Sequence, residues 1–558
     1  MARKQKILLL TPPFVQLNTP YPATTQLVGW LTSLGVDATQ RDLSIEVALD
    51  VLRACGEQPL TDEVLAFLQG KDPDNAETLA EPGYLPEGPA FDSLTPDGTD
   101  LTRDEVLGGD PQERAKVLCS LYLDDLAAAI RDQVDPDFGF SRYAEHLGAA
   151  VPDFGALLKR LRRRSLVDKL LEARVARALK EVKPTIVGVT CPFPGTLVGA
   201  FRIARTVRTL APHVKLVLGG GYVNTELRSM HEPRVARFFD IVMYDEGYAP
   251  WAALVGAGEP EIPAFVKPSY HGLDLSQYIS LAETTNPMHR LWSDGRWLKI
   301  QLARGCYWHK CAFCDVTLDY IKCFQMPTAA ILVDAMQALA DETGETGFHF
   351  TDEAIPPKLA QDLSREILRR KFTCTWWGNV RFDASYTPAL ARLMARAGCI
   401  AVTGGLECAT DRLLKLMNKG ITLASARIAL RNFSDAGILV HAYLMYGFPT
   451  QTEKEAHAAL RYVRDRFREG VIQSAFFHRF ALTVHSPIAR APSRFGIAIP
   501  QSSDSPIRFA LNEIPYNEPG APDWERLGRG LKLALYNYML GLGLDLPVHS
   551  WFPDESDV

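Results

Sequence analysis

The chain has 558 residues, of which 47% are hydrophobic and 23% charged, a composition typical of a globular protein with about two to four domains. Its formal net charge is −6, and no basic run suggests a nucleic-acid partner. The apolar run Ile7–Leu10 is too short for a signal peptide or a membrane span. The ten cysteines have no disulfide-framework spacing, so we expect reduced thiols, a cytoplasmic location and no membrane partner.

The first residues have the pattern of an α/β domain. A buried strand is predicted over 6–11, a helix over 24–34 and a second strand over 36–42. From about 45 to 183 the pattern changes to helices around a loop-rich middle, which predicts an insertion. The basic stretch LLKRLRRR at 157–164 is interpreted as a solvated helix face rather than a binding surface.

The α/β pattern resumes after Pro184. Strands are predicted over 185–190, 215–218 and 240–243, and the last two run into the turns GGGY (219–222) and YDEG (244–247). Such turns form a ligand crevice at the carboxyl edge of a doubly wound sheet. No Gly-x-Gly-x-x-Gly follows the first strand, so this is not the dinucleotide fingerprint. We expect a Rossmann-like domain over 1–260 and a linker over 261–296.

Three cysteines are close together in the stretch RGCYWHKCAFCDV at 304–316. Cys306, Cys311 and Cys314 are separated by four residues and then two, so a short loop can turn three thiolates toward one point. Thiolates suit soft metals, either zinc or an iron–sulfur cluster. His309 lies inside the loop and could complete a zinc site. A four-iron cluster held by three cysteines would instead leave one iron without a protein ligand. The loop alone does not decide between zinc and a cluster.

Six strand-and-helix units are predicted in the second half. Their strands are expected at 296–303, 347–350, 372–377, 400–403, 440–445 and 474–480, and most are followed by polar or glycine-rich turns. This pattern indicates a partial parallel (β/α)6 barrel over 297–485, whose site lies where the strands end. Because the cysteine loop follows the first strand, the later strand ends should face it. Residues 486–558 are expected to form a C-terminal cap.

The cysteine loop is similar to the signature of radical S-adenosylmethionine (SAM) enzymes, in which three cysteines hold a [4Fe–4S] cluster. The family spacing is usually three residues and then two, whereas this loop has four and then two. The segments GGLECATDRLLKLMNKG (404–420) and LMYGFPTQTEKE (444–455) resemble the fourth- and fifth-strand segments of the family. The resemblance implies Cys306, Cys311 and Cys314 as cluster ligands.

The same resemblance implies a set of SAM contacts after several strands: Phe313, Asp352, Arg381, Glu407, Tyr446 and Gly447. For Glu353, a site role and a surface role stay equally open. Of the neighbouring Trp376 and Trp377, which point to opposite faces of one strand, one is expected in the core and the other could line the cavity.

The N-terminal domain, placed before a three-cysteine loop, resembles the cobalamin-binding domain of cobalamin-dependent radical SAM enzymes. The implied cobalamin contacts are Thr190, Gly219, Gly220, Gly221, Tyr222, Asn224, Asp245, Glu246 and Gly247. No Asp-x-His-x-x-Gly motif is present, so no histidine from that motif holds the lower face of cobalt. The loop 14–21 would lie beneath cobalt, although polar turn roles are the simpler interpretation for Gln16 and Asn18.

The family resemblance implies a methyltransferase that acts on an unactivated carbon of a natural-product or peptide substrate. It would use a 5′-deoxyadenosyl radical and methylcobalamin, with an electron donor such as flavodoxin or ferredoxin as partner. One alternative is a radical SAM enzyme that forms or rearranges rings without methyl transfer. Another, of a different class, is a zinc-stabilised binding protein without catalysis.

Overall fold

The computed structural model describes residues 5–95, 102–140, 154–282, 291–293, 295–500, 509–510 and 513–552. They form two compact units, with the boundary between Trp297 and Leu298. Residues 509–510 belong to the first unit and residues 513–552 to the second. Within these ranges, no helix is both long enough and apolar enough to cross a membrane.

The first unit contains a parallel sheet in the order β2-β1-β3-β4-β5. Its strands are β1 (Lys6–Thr11), β2 (Asp37–Asp42), β3 (Ile186–Thr190), β4 (Lys215–Gly219) and β5 (Ile241–Val242). The β1 and β3 sequences, KILLLT and IVGVT, are almost wholly buried, as expected of strands covered on both faces. The predicted doubly wound α/β architecture is confirmed.

Helices of this unit cover the sheet and build the insertion between β2 and β3. Those of seven residues or more are Pro22–Ser33, Leu43–Cys55, Leu60–Leu68, Pro111–Gln133, Phe154–Arg162, Leu166–Val182, Leu197–Leu210 and Tyr248–Leu254. Shorter ones are Ala76–Leu79, Arg103–Leu107 and Gly221–Asn224. Apolar side chains of the insertion and of the sheet form one continuous core. The insertion is therefore packed into the unit and is not a separate module.

The expectation of a solvated basic helix face is wrong for Arg160. Its side chain is only 5% exposed and forms ion pairs with Asp135, Asp137 and Asp168. Asp135 and Asp137 follow the helix Pro111–Gln133, and Asp168 lies in the first turn of the helix Leu166–Val182, so the sequence pattern around Arg160 could not reveal them. Arg162 on the same helix is exposed, as expected.

The predicted linker lies against the first unit as an irregular strap. Tyr278 donates a hydrogen bond from its hydroxyl to Asp42 at 2.7 Å, and Gln40 donates to the carbonyls of Ser269 and His271. Asn18, considered above for a place beneath cobalt, instead donates to the carbonyls of Trp292 and Gly295. The strap is therefore fixed by buried polar contacts.

The second unit contains a parallel sheet in the order β11-β10-β9-β8-β7-β6. Its strands are β6 (Leu298–Ile300), β7 (Gly347–Phe350), β8 (Thr375–Asn379), β9 (Cys399–Glu407), β10 (Leu439–Tyr446) and β11 (Ser474–Arg479). The predicted six-stranded partial barrel is confirmed. Its helices are Asp319–Lys322, Ala329–Thr343, Pro357–Arg370, Pro388–Arg396, Asp411–Leu416, Leu423–Asp435, Glu453–Arg468, Pro487–Arg490 and Trp524–Met539.

The predicted ends of β8 and β9 are wrong, and β6 ends at Ile300 rather than at 303. The GGLE segment was expected as the turn after a strand, but it forms the last residues of β9. Likewise, Gly378 and Asn379 belong to β8 rather than to the turn that follows. The glycines in these segments suggested turns when only the sequence was considered. In the fold they lie within strands, where the lack of a side chain allows close packing. A Cβ atom on Gly404 would lie 2.7 Å from the Val380 carbonyl oxygen.

We expect Arg160→Ala to lower the free energy of unfolding by about 3–5 kcal/mol, because it leaves buried carboxylates without a positively charged partner. The exposed Arg162→Ala on the same helix is the matched control, with a change of about 0.5 kcal/mol or less. Urea unfolding followed by circular dichroism measures both. Equal effects of the two substitutions would contradict a structural role for the buried ion pairs.

Candidate active site

The cysteine loop (residues 304–325) begins just after β6 and is closed at its base by backbone hydrogen bonds. The Arg304 amide donates to the Gln325 carbonyl at 2.8 Å, and the Cys306 amide donates to the Ile321 carbonyl at 2.9 Å. Gly305 has a φ of +72°, and a Cβ atom there would collide with the Cys323 carbonyl oxygen. The base of the loop thus requires glycine at this position for both its conformation and its lack of a side chain.

Asp352 fixes the chain between β6 and this loop. Its carboxylate accepts hydrogen bonds from the amides of Leu302 and Ala303, both at 2.8 Å. The side chain is 1% exposed, and burial raises the pKa of Asp352 to about 7 against the effect of these bonds. Asp352 was expected to contact SAM. Instead, both of its carboxylate oxygens accept hydrogen bonds from the backbone that leads to the cysteines.

A second segment, Met417–Gly420, holds the loop from the side and is called the clasp here. The Met417 carbonyl accepts from the Ala312 amide at 2.8 Å, and the Asn418 side chain donates to the Lys310 carbonyl at 3.0 Å. Trp308 donates from its indole to the Asn418 carbonyl at 2.9 Å. Family resemblance suggested only a helix here, so the contacts of the clasp were missed.

Arg381 joins the loop to the clasp. Its guanidinium lies 3.9 Å from the centroid of one ring of Trp308 and donates to the Lys419 carbonyl at 2.6 Å. It also pairs with Asp383 at 3.6 Å, and its side chain is only 7% exposed. These contacts give Arg381 a structural role beside the cysteines, where the sequence predicted a contact to SAM.

Glu407 and Lys419 form a buried ion pair next to the cysteines. The Lys419 Nζ atom lies 2.7 Å from Glu407 Oε1 and 5.8 Å from the ring centroid of Phe313. Burial opposes the charge of Lys419, but the Glu407 carboxylate raises the pKa of the ammonium. A hydrogen bond with Cys314 lowers the pKa of the Cys311 thiol, and the Lys419 charge adds to this effect. The sequence analysis predicted a site role for Glu407 but not for its partner Lys419, although Lys419 lies in the same segment, 404–420.

The loop offers the three thiols that a three-cysteine iron–sulfur cluster requires, Cys306, Cys311 and Cys314. His309, the nearest candidate for a fourth zinc ligand, pairs its Nδ1 atom with the Cys306 carbonyl oxygen at 2.9 Å. The donor set therefore fits the three-cysteine cluster.

Tyr446 and Gly447, predicted to lie along the adenine, are covered by the chain itself. The Gly447 amide donates to Gln451 at 2.7 Å, and Tyr516 donates from its hydroxyl to the Gly447 carbonyl at 3.4 Å. Tyr446 is 5% exposed and packs near Trp524, with ring centroids 6.4 Å apart. Glu353, in contrast, is exposed.

The carboxyl edge of the first sheet has the features of a polar ligand cradle. The oxygens Thr11 Oγ1, Thr190 Oγ1 and Asn224 Oδ1 are buried but have no hydrogen-bond partner in the described structure. They belong to the ends of the neighbouring strands β1 and β3 and to the turn after β4. Unpaired buried oxygens are costly, so they favour a ligand with hydrogen-bond donors. The side-chain amides around the cobalamin ring are such donors.

The remaining predicted cobalamin residues lie in the same two turns. A Cβ atom on Gly220 would lie 2.5 Å from the Cys191 backbone nitrogen, so the strand ends approach each other closely. Asn224 donates to the Asp245 carbonyl at 3.0 Å, and Asp245 pairs with Arg228 at 2.8 Å. These contacts join the short helix after β4 to the turn after β5. The predicted cobalamin residues lie at the ends of β3 and β4 and in these two segments: Thr190, Gly219, Gly220, Gly221, Tyr222, Asn224, Asp245, Glu246 and Gly247. Arg228 was not foreseen, because nothing in its local sequence marks it.

Residues 300–463 match the family model of the Radical SAM superfamily. An uncharacterised methyltransferase of Pyrococcus horikoshii is 24% identical over 326 residues, which cover 54% of this chain and 68% of that protein. The anaerobic magnesium-protoporphyrin IX monomethyl ester cyclase of Cereibacter sphaeroides is also 24% identical over 326 residues. That match covers 54% of this chain but only 52% of the cyclase, so the chain spans about half the length of this relative.

The fold also matches a solved structure across both units. The radical SAM methyltransferase TsrM from Kitasatospora setae, solved with cobalamin and a [4Fe-4S] cluster, aligns with a TM-score of 0.52 and 17% identity. The alignment covers 96% of this chain and 89% of TsrM. Residues 300–463 are therefore similar to the radical SAM superfamily, and the two sheets have the fold of TsrM. This similarity favours a radical SAM enzyme over the alternative of a non-catalytic zinc protein.

We expect Gly305→Ala to destabilise the cysteine loop, because the added methyl group collides with the Cys323 carbonyl. Gly344→Ala is the matched control, since Gly344 has a φ of +78° but no atom within 4 Å of the new Cβ. The control should cost about 1–2 kcal/mol of unfolding free energy, and Gly305→Ala at least about 2 kcal/mol more. Thermal unfolding of both variants measures this difference, and equal costs would contradict the close approach.

The buried Asp352 carboxyl should make stability depend on pH. Its pKa is about 7 in the folded protein, against an ordinary value of 3.8, so the folded state binds more protons between these pH values. The contribution of this group is therefore greatest at low pH and is lost as the pH rises through 7. The unfolding free energy of wild type minus that of Asp352→Asn should fall by roughly 2–4 kcal/mol between pH 4.5 and 7.5. A difference that stays constant would contradict this.

Proposed function

We propose that the protein is a cobalamin-dependent radical SAM methyltransferase that methylates an unactivated carbon of a small natural-product or peptide substrate. The observation that carries the proposal is the three-cysteine loop fixed at the carboxyl end of β6. It is held there by Asp352, Arg381 and the clasp. When bound, the cluster and SAM supply a carbon-centred radical, and cobalamin supplies a methyl group.

In this proposal, Cys306, Cys311 and Cys314 hold the cluster, and the Glu407–Lys419 pair supplies a fixed charge beside Cys311. Interactions that are already in place before the reaction lower its barrier without reorganisation. Asp352 and Arg381 act as positioning residues, because each contacts the loop rather than open space. The predicted SAM contacts at Phe313, Tyr446 and Gly447 remain part of the proposal.

The first unit would bind cobalamin at the carboxyl edge of its sheet. The unpaired oxygens of Thr11, Thr190 and Asn224 support this assignment, since amide donors on the cofactor would satisfy them. Methyltransferase relatives and the fold of TsrM support it as well. An electron donor such as flavodoxin or ferredoxin would reduce the cluster.

The second candidate function is ring formation without methyl transfer. It is favoured by two relatives named as magnesium-protoporphyrin IX monomethyl ester cyclases. The two functions differ in the fate of the SAM methyl group. With methyl-labelled SAM, a methyltransferase carries label into the cobalamin fraction, whereas the ring-forming alternative predicts no label there.

We expect protein purified without oxygen and supplied with cobalamin to contain about four irons and one cobalt per chain. Cys306→Ala should lose nearly all of the iron, because a cluster ligand is removed. The matched control is Cys323→Ala, a half-buried thiol of the same loop that the proposal does not use, and it should keep the wild-type iron content. Metal analysis and the absorption spectrum measure these values.

Iron without cobalt would leave a radical SAM enzyme but contradict the methylcobalamin chemistry. Equal loss of iron in Cys306→Ala and Cys323→Ala would show that the loop tolerates no change, and Cys306→Ser would then separate ligation from folding. Wild-type iron content in Cys306→Ala would contradict the assignment of the ligands.

A further inference from the structure

The buried pair of Glu407 and Lys419 is not explained by the stability of the second unit. The two side chains are 6% and 12% exposed, and Lys419 Nζ lies 2.7 Å from Glu407 Oε1. The cost of removing two charges from water largely offsets their attraction, so a buried pair adds little net stability. The position of this pair beside the cysteine loop therefore calls for a functional explanation.

The backbone around both residues adopts conformations that most amino acids rarely take. Glu407 has a φ of +53°, and Lys419 lies between Asn418, with a φ of +53°, and Gly420, with a φ of +73°. A left-handed conformation is unstrained for glycine and tolerated by asparagine, but it costs free energy at a glutamate. Strained residues persist where the surrounding structure fixes them, and they are concentrated at functional sites. Strain at Glu407 therefore indicates that the position of its carboxylate serves the site.

Strand β9 leaves room for the pair at Gly405. A Cβ atom on this residue would lie 2.8 Å from Lys419 Nζ and would collide with Glu407 Oε1. Any larger residue at this position would displace one of the two charges. The backbone of Lys419 is fixed as well, because its carbonyl accepts a hydrogen bond from Arg381 at 2.6 Å. The protein itself therefore holds both charges in fixed positions.

The segment that carries Lys419 lies directly against the cysteine loop. The Met417 carbonyl accepts a hydrogen bond from the Ala312 amide at 2.8 Å, two residues before Lys419 in the chain. The Lys419 Nζ atom lies 5.8 Å from the ring centroid of Phe313, the residue before Cys314. The ammonium is therefore placed beside the part of the loop that contains the second and third cysteines.

Both charges of the pair act on these two cysteines. A hydrogen bond with Cys314 lowers the pKa of the Cys311 thiol, the Lys419 ammonium lowers it further, and the Glu407 carboxylate raises it. A hydrogen bond with Cys311 raises the pKa of the Cys314 thiol, on which the ammonium and the carboxylate again act in opposite directions. The pair therefore applies two charges of opposite sign to the same sulfur atoms.

The charge of an iron–sulfur cluster changes when the cluster is reduced. An added electron makes the cluster more negative, so a nearby fixed cation stabilises the reduced form and a nearby fixed anion stabilises the oxidised form. Charges withdrawn from solvent are screened less than charges at the surface. The reduction potential of a cluster depends on such surroundings.

We propose that Lys419 and Glu407 set the reduction potential of the cluster that Cys306, Cys311 and Cys314 would hold. Lys419 favours the reduced cluster, and Glu407 favours the oxidised cluster. The step concerned is the transfer of one electron from a low-potential electron carrier, which is oxidised, to the cluster, which is reduced. This inference rests on the proposed function and adds two positioning residues to its electron-transfer step.

The reduction potential of the iron-loaded protein, measured without SAM, tests the pair. Titration with dithionite and redox mediators is followed by electron paramagnetic resonance of the reduced cluster. The titration is made at about pH 8.5, where carboxyl groups are ionised even when burial raises their pKa. At a given potential, Glu407→Gln should raise the ratio of reduced to oxidised cluster at least about tenfold, which is about 59 mV for one electron. Lys419→Met should lower the same ratio at least about fivefold.

Lys415→Met is the matched control, because Lys415 carries the same charge on the neighbouring helix Asp411–Leu416 but is exposed. It should change the ratio less than about twofold, since solvent and salt screen exposed charges. Shifts in the same direction in Glu407→Gln and Lys419→Met would indicate a general disturbance of the loop and would overturn the proposal. Shifts of both variants no larger than that of the control would overturn it too.

Iron content separates this inference from the proposed function. Full iron content with unshifted potentials rejects the role of the pair alone, whereas wild-type protein without iron rejects the proposed function. The double variant Glu407→Gln/Lys419→Met lacks both charges, so its potential should lie between those of the single variants. If one single variant fails to bind iron, the double variant and the other single variant still decide the sign of the effect.

Discussion

The second unit depends on one constraint: an irregular loop must hold three thiols in fixed positions without the support of a helix or strand. The structure meets it with hydrogen bonds from both sides. Asp352 binds the two amides that lead into the loop, and the clasp binds its middle through Met417 and Asn418. Each such bond offsets part of the conformational entropy that a loop of this length loses on ordering.

The contacts around the cysteine loop place ionisable side chains in the interior of the second unit. The Asp352 carboxyl is buried and accepts hydrogen bonds from the backbone amides of Leu302 and Ala303, and the Glu407–Lys419 pair is buried beside the cysteines. Burying ions costs free energy unless they are well paired, so a buried pair is weak evidence for stability. Its position next to Cys311 gives it a functional meaning instead, since a fixed positive charge favours thiolate over thiol.

The first unit contains buried polar groups of two kinds, those with a charged partner and those without a hydrogen-bond partner among the described residues. In the insertion, Arg160 has a carboxylate partner on each of its nitrogen atoms, as expected of a core that must be stable by itself. At the carboxyl edge of the sheet, Thr190 and Asn224 have buried oxygens without a hydrogen-bond partner among the described residues. In the proposed function, a bound ligand with hydrogen-bond donors would satisfy them.

The two parallel sheets, nearly all of their strands and the cysteine loop were predictable from the amino-acid sequence. Buried strands, glycine-rich strand ends and clustered thiols are local patterns, and local patterns can be read from neighbouring residues. The contacts of Asp352, Arg381 and Lys419 became known from the fold, because their partners are distant in the chain. The contacts that Asp352 and the clasp make with the cysteine loop and the residues before it join positions 49 to 110 apart, such as Ala303 with Asp352 and Trp308 with Asn418. The strand ends at GGLE were misread for the same reason, because a glycine that makes room for a distant neighbour has the same local sequence as one that makes a turn.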